Sequence, residues 1–283
     1  MARTRTPDAP DLSALTLPRT PLTLAVENAV MRGGGAPASA SIAEQVAARL
    51  AGAITLGQVR AGQRLLEADI GVALGVSRAP VREALRILER DRLVEFKARR
   101  GAIVTAPDAD ELRDIFAVRS ALYGMLLAQV MADAPRELSA VFGRHLPRLE
   151  RAADDGVDAY ALEGFLLNDA VFGLCGNRLL ADMLASISLR TLRYVRMGLA
   201  ASPRVVRRSL TTWAALRQAI DAGRVDDVLR VARERMDDTR DSAVLALASR
   251  APGTPAPAPR AAGTRRAPGP TGSSTRRTPV TGP

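Results

Sequence analysis

The run Leu74-Gly75-Val76-Ser77-Arg78-Ala79-Pro80-Val81-Arg82-Glu83-Ala84-Leu85-Arg86-Ile87-Leu88-Glu89 constrains this 283-residue chain more than any other part of it. Gly75 supplies the left-handed residue that closes a short helix running from about Glu67 to Leu74. Ser77 caps the helix that follows, and Pro80 still lies in its first turn, where a missing N–H costs little. Val81, Leu85 and Leu88 give that helix one apolar face. Ahead of the pair, Ile42, Val46, Leu50 and Ile54 form an apolar stripe behind the N-cap Ser41. Behind it, Leu93-Val94-Glu95-Phe96 and Ala102-Ile103-Val104-Thr105 read as short strands joined across Lys97-Ala98-Arg99-Arg100-Gly101. The pattern predicts a winged helix-turn-helix over residues 41–106.

A helix of this kind meets DNA with its first turns in the major groove. Arg78, Arg82 and Arg86 recur every four residues and drift only about 80° around the helix axis. They form a basic flank beside the apolar stripe, and Arg99 and Arg100 sit at the wing tip. Arginine can bond both acceptors of guanine, which is worth about 1–3 kcal/mol of discrimination for a good pair. The competing reading is a solvated flank on an amphipathic helix. The turn and the basic wing together favour DNA.

Charge supports the same segment. The chain has 40 basic and 30 acidic residues, a formal +10, and Lys97 is its only lysine. Residues 250–283 carry six arginines and no acid, while 107–249 hold 19 basic against 20 acidic residues. Residues 41–106 hold 11 basic against seven acidic residues, so the surplus expected to be folded sits in the winged segment.

From residue 109 to about 247 the pattern is helical, over 109–133, 136–153, 158–175, 178–200, 204–222 and 225–247. Pro135, Gly156, Gly176, Pro203 and Gly223 punctuate it. The expected fold is therefore mainly α, a winged helix-turn-helix followed by an all-α bundle over 107–249. Residues 1–40 and 250–283 are rich in Pro, Gly, Ala and Thr and are expected to be disordered tails. A short amphipathic helix over Leu22–Met31 is a weaker signal within the first.

One cysteine, Cys175, excludes an intramolecular disulfide, and one histidine, His145, excludes a multi-histidine metal site within one chain. Cys175 reads as a small buried hydrophobe and His145 as a structural residue. Aromatic residues are too scarce, at 3%, for a base-stacking platform. No catalytic constellation is visible, and the chain is not expected to be an enzyme. Apolar runs fall short of the roughly 18–20 residues of a membrane span, so a cytoplasmic protein without membrane contact is expected.

Residues 74–89, with Leu93-Val94 and Arg100-Gly101-Ala102-Ile103-Val104, resemble the winged-helix signature of GntR-type bacterial transcription regulators. The resemblance implies operator contacts by Ser77, Arg78 and Arg82, and a close backbone approach to DNA at Gly101. Arg86 and Arg100 join them as candidate contacts from the arginine pattern. Gly71 stands where the family usually has alanine, and Arg92 where it usually has glycine. Both departures are expected to affect stability more than readout.

The helical half resembles the FadR-type (FCD) effector domain through Val118-Arg119, Asp169-Ala170-Val171-Phe172, Gly176-Asn177 with Leu180, and Ala219-Ile220 with Gly223. This implies a homodimer and a small carboxylate effector, in many members beside a metal held by one aspartate and three histidines. Here Asp169 matches the aspartate, while Gly173, Trp213 and a position near Arg235 match the histidines. No metal or other cofactor is expected. The effector-site candidates are Arg119, Asp169, Trp213 and Arg235. In one reading Arg235 and Arg119 bind an anionic effector directly. In the other Asp169 pairs with an arginine, Trp213 fills the space and the pocket is closed.

The expected function is a dimeric, sequence-specific regulator on double-stranded DNA, with a palindromic operator mirroring the dimer's two-fold axis. The alternative is a helical scaffold that binds nucleic acid non-specifically through its basic tails.

Overall fold

Helix α2 (Ile42–Thr55) starts where its cap chemistry directs it. Ser41 accepts from the Glu44 N–H at 3.2 Å, and the Glu44 carboxylate accepts the Ser41 N–H at 2.7 Å. This reciprocal pair satisfies two donors that the first turn would otherwise strand. Val46, Leu50 and Ile54 are buried as the stripe predicts, whereas Ile42 is exposed. The computed structural model describes residues 12–32 and 40–249. The expectation for 250–283 lies outside the described residues.

Helices α3 (Glu67–Leu74) and α4 (Arg78–Arg90) follow, with Gly75 between them at φ 68°. Gly71 is more than a tolerated departure. A Cβ there would stand 2.8 Å from the Val76 carbonyl oxygen, so the turn closes only over a glycine. Val81, Ala84, Leu85 and Leu88 bury the inner face of α4. Its C-terminus ends in a Schellman motif, with the Arg92 N–H donating to Glu89 and the Leu93 N–H to Leu88. Arg92 therefore takes the left-handed position, at φ 56°.

The wing is strands β2 (Val94–Lys97) and β3 (Gly101–Val104), paired antiparallel with Val94 opposite Val104 and Lys97 opposite Gly101. A third strand, β1 (Arg64–Leu65), pairs with the other edge of β3 to give the order β1-β3-β2. Two residues carry no periodicity, which is why the sequence pattern shows only the hairpin.

Six long helices form the second half: α5 (Ala109–Asp133), α6 (Pro135–Asp155), α7 (Val157–Phe172), α8 (Arg178–Ala201), α9 (Pro203–Asp221) and α10 (Val225–Ala248). Asp108 and Asn177 cap α5 and α8, and prolines open α6 and α9. By length and composition α5 could cross a membrane, contrary to the expectation that no apolar run approaches that length. In the fold it is a bundle helix, burying Leu112, Phe116, Tyr123, Leu126, Leu127 and Val130 and packing on α8 and α10.

The expectation of a disordered segment over residues 1–40 is corrected for 12–32. A 3-10 turn (Ser13–Thr16) leads into helix α1 (Pro21–Arg32), close to the weaker helix signal. Leu22, Val26 and Val30 recur every four residues and are buried against α2 and α7. Buried Glu27 is paired with Arg49 of α2 at 3.3 Å and with Arg19 at 3.2 Å. The close approach depends on Gly52, where a Cβ would lie 2.7 Å from the Thr23 methyl. Composition averaged over forty residues conceals a twelve-residue helix that can bury an apolar stripe.

Candidate nucleic-acid interface and ligand cavity

The N-terminus of α4 is open. Ser77 occupies the N-cap in extended conformation and is exposed, but its hydroxyl makes no capping bond, so among the described residues no side chain caps the first N–H groups of the helix. Such N–H groups suit an anion. Arg78, Arg82 and Arg86 are all exposed, as are Arg99 and Arg100 in the wing turn. That turn closes through the Arg100 N–H on the Lys97 carbonyl at 3.0 Å, with Arg99 at φ 62° and Gly101 at φ 73°.

Arg82 is not a free cation. Its Nε and Nη2 each donate at 2.9 Å to the two oxygens of Glu67 at the start of α3. The bond from Arg82 holds the Glu67 carboxyl below the usual glutamate range. The bidentate pair ties together the two helices of the helix-turn-helix, a second role for Arg82 that the spacing of the arginines does not reveal.

Between α5, α7, α8, α9 and α10 lies a cavity of about 70 Å³. Arg119 and Arg235 face it and are themselves buried. Arg119 donates to the Thr191 hydroxyl at 3.0 Å. Arg235 lies over the face of Trp213, its guanidinium carbon 3.2 Å from the ring centroid. Burial brings the pKa of Arg119 down to about 10, with the charge of Arg235 adding to the effect. Burial likewise lowers Arg235 to about 10. Both are cations at neutral pH, and among the described residues neither forms an ion pair. Asp238 also lines the cavity, bound by the exposed Arg208 at 2.7 Å.

Asp169 does not join this group. It lies in a separate groove with Val30, Asp91, Arg178 and Asp182. On α7 the cavity is lined by Tyr160, Ala161, Gly164, Phe165 and Asn168. Asp169 continues the Ala161–Phe165 row one turn further on, and Phe165 and Ser188 border both the cavity and that groove. Arg178 lines the same groove as Asp169. The Trp213 ring forms a wall of the cavity beneath Arg235.

Residues 42–104 match the family described as bacterial regulatory proteins, gntR family, and residues 114–238 match the FCD domain. The chain is 32% identical over 203 residues to the HTH-type transcriptional regulator BphR of Paraburkholderia xenovorans, a stretch covering 68% of this chain and 82% of that one. The chain belongs to the GntR family. Its helical half is an FCD domain. YdhC of Bacillus subtilis, another HTH-type transcriptional regulator, is 30% identical over 102 residues, covering 36% of this chain and 46% of that one. The match thus spans under half the length of YdhC. A crystal structure of a GntR transcriptional regulator from Rhodococcus sp. RHA1 superposes with a TM-score of 0.60 at 26% identity. That likeness covers 74% of this chain and 99% of the Rhodococcus protein.

The metal that an FCD resemblance implies does not fit this cavity. A hard cation needs carboxylates and zinc needs imidazole or thiolate. Here the lining offers three guanidiniums, an indole, an amide, several hydroxyls and a single carboxylate, Asp238, already held by Arg208. Among the described residues no three of His, Cys, Asp and Glu gather anywhere. His145 stands on α6 with Nδ1 3.8 Å from Glu163.

Proposed function

We propose that this DNA-binding transcription regulator of the GntR family acts as a homodimer on a palindromic operator. Its cavity, lacking metal-binding histidines, takes a small anionic effector. One observation carries the reading: α4 presents its uncapped N-terminus and Arg78, Arg82 and Arg86 to solvent beside the exposed wing. In this reading Ser77 and the first N–H groups hold a phosphate, Arg78 reads a base edge, and Arg86, Arg100 and Gly101 follow the backbone. Arg82 reaches DNA by exchanging Glu67 for it. Arg119 and Arg235 face the effector, with Trp213 and Asn168 completing the site.

A second copy has an apolar face to meet. Val118 and Met125 on α5, seven residues apart, are exposed, as are Leu179 and Met183 on α8. Exposed apolar groups at helical spacing suit a self-complementary interface. A protein acting on DNA in this way works in the cytoplasm, without a membrane partner.

Footprinting on duplex DNA tests the proposal. A short inverted repeat should be protected, and Arg78→Ala should abolish that protection. Truncation after residue 249 separates the alternative of a scaffold bound through its tail. The specific regulator keeps its site preference, whereas a tail-driven binder loses nearly all affinity.

A further inference from the structure

Where the winged domain meets the helical bundle, a groove of about 720 Å³ opens between α4, β2, the connection Thr105-Ala106-Pro107, α5 and α8. Five basic and three acidic side chains line it. Two of the acids are already engaged. Glu95 pairs with Lys97 at 2.9 Å, and the Glu111 carboxylate accepts the Asp108 N–H at 3.1 Å in the cap of α5. Arg90 reaches Asp91 at 4.0 Å. Arg86, Arg92 and Arg190 form no ion pair among the described residues, and Glu89 is the one lining carboxylate without such a role.

Arg190, on α8, is half-buried, and its Nε is a buried donor with no hydrogen-bond partner. Buried donors are nearly always satisfied, so an open one calls for an acceptor. Burial and then the charge of Arg92 lower the Arg190 pKa, opposed by Tyr194 and Glu111. Two like charges from different domains thus act on one another at this groove, and an anion shared between them relieves the repulsion. Arg92 gives a second sign. Its backbone is left-handed, at φ 56°, a conformation that glycine adopts at lower cost. Strain of this kind points to a use for the side chain that bears it.

The walls select the kind of anion. Val94, Ala106 and Pro107 are the apolar lining residues, and no aromatic ring lines the groove to stack a nucleobase. Guanidiniums offer paired donors that match phosphate oxygens. The volume falls within the roughly 300–1,000 Å³ of small-molecule sites. We infer that this groove binds a small phosphorylated polyol, its phosphate bridging Arg92 of the winged domain and Arg190 of the bundle. Hydroxyls of the polyol donate to the Glu89 carboxylate and to Thr105 Oγ1. The ligand then fastens the DNA domain to the FCD domain from a site separate from the inner cavity.

The test is calorimetric titration and thermal shift on the full chain without DNA, at constant ionic strength. The probes are ribose 5-phosphate, inorganic phosphate and ribose. Ribose 5-phosphate should bind at least tenfold more tightly than ribose, several-fold more tightly than inorganic phosphate, and raise the melting temperature. Arg190→Gln and Arg92→Gly should each cost at least tenfold in affinity. Glycine relieves the backbone at position 92, so loss of binding there is not loss of fold. Arg178→Gln removes the same charge from α8 outside the groove and should leave binding unchanged. No binding of ribose 5-phosphate, equal binding of ribose, or an equal loss in Arg178→Gln would overturn the inference. So would binding that persists in both groove variants, or that is lost in Arg78→Ala instead, which places the phosphate on the DNA-reading helix. Duplex binding is measured in parallel. If the groove variants flatten its salt dependence while ribose 5-phosphate fails to bind, the two arginines serve the DNA backbone and the inference fails.

Discussion

Arg196 on α8 donates from Nη1 to the main-chain carbonyl of Leu56, 3.2 Å away at the end of α2. The same guanidinium reaches the Thr55 carbonyl and, through Nε at 2.8 Å, Asp158 on α7. One side chain of the FCD domain thus satisfies carbonyls that the first DNA-domain helix leaves open. The turns of α8 on either side of it contribute Leu192, Val195 and Leu199 to the cavity. A ligand that moves α8 therefore acts on α2 without an intermediary. Arg196→Met should lower stability by about 1–3 kcal/mol and split a single melting transition into two. Calorimetry checks this, and one unshifted transition would contradict it.

Arg92 occupies the left-handed position of the Schellman motif after α4. A side chain there costs about 1–2 kcal/mol, which glycine avoids at some cost in unfolded-chain entropy. Arg92→Gly should therefore stabilise the protein by about 0.5–1 kcal/mol, read as a higher urea midpoint at unchanged slope. A lower midpoint would show that the arginine makes a compensating contact.

The pair between Glu67 and Arg82 is exposed, so Glu67→Gln should change stability by less than about 1 kcal/mol. Its effect belongs in DNA binding. An arginine released from its internal partner should raise affinity at low salt and steepen the log–log salt dependence by about one. An unchanged slope would mean that Arg82 does not exchange Glu67 for DNA.

Those three side chains show where sequence reasoning succeeds and where it stops. Local chemistry marks local structure well. Ser41, Gly75, Pro135, Asn177 and Pro203 mark helix ends because each acts on the backbone beside it. Contacts between distant elements have no such signature. Nothing near Arg82 in sequence identifies Glu67, fifteen residues away, and nothing near Arg196 identifies Leu56. Helix α1 is hidden by the composition around it. The cavity is intermediate. Arg119, Trp213 and Arg235, singled out through the resemblance, line the cavity, whereas Asp169 lies in the groove beyond Phe165.

His145 supplies a pH dependence. Burial lowers its pKa, opposed by Glu163 and reinforced by Arg148 and Arg144. Its folded-state pKa thus lies below the unfolded value of about 6.5, so folding favours the neutral ring. The contribution is complete above the unfolded pKa and is lost as pH falls through the folded one. His145→Gln should flatten the stability profile below about pH 6.5, measured as urea midpoints across that range. Parallel profiles for the two proteins would contradict the assignment.

The most direct test of the regulator reading is selection of bound sequences from a random duplex pool by the full chain. The account predicts a short inverted repeat for the wild type and loss of that motif in Arg78→Ala. Recovery of no motif, or of the same motif by Arg78→Ala, would contradict it.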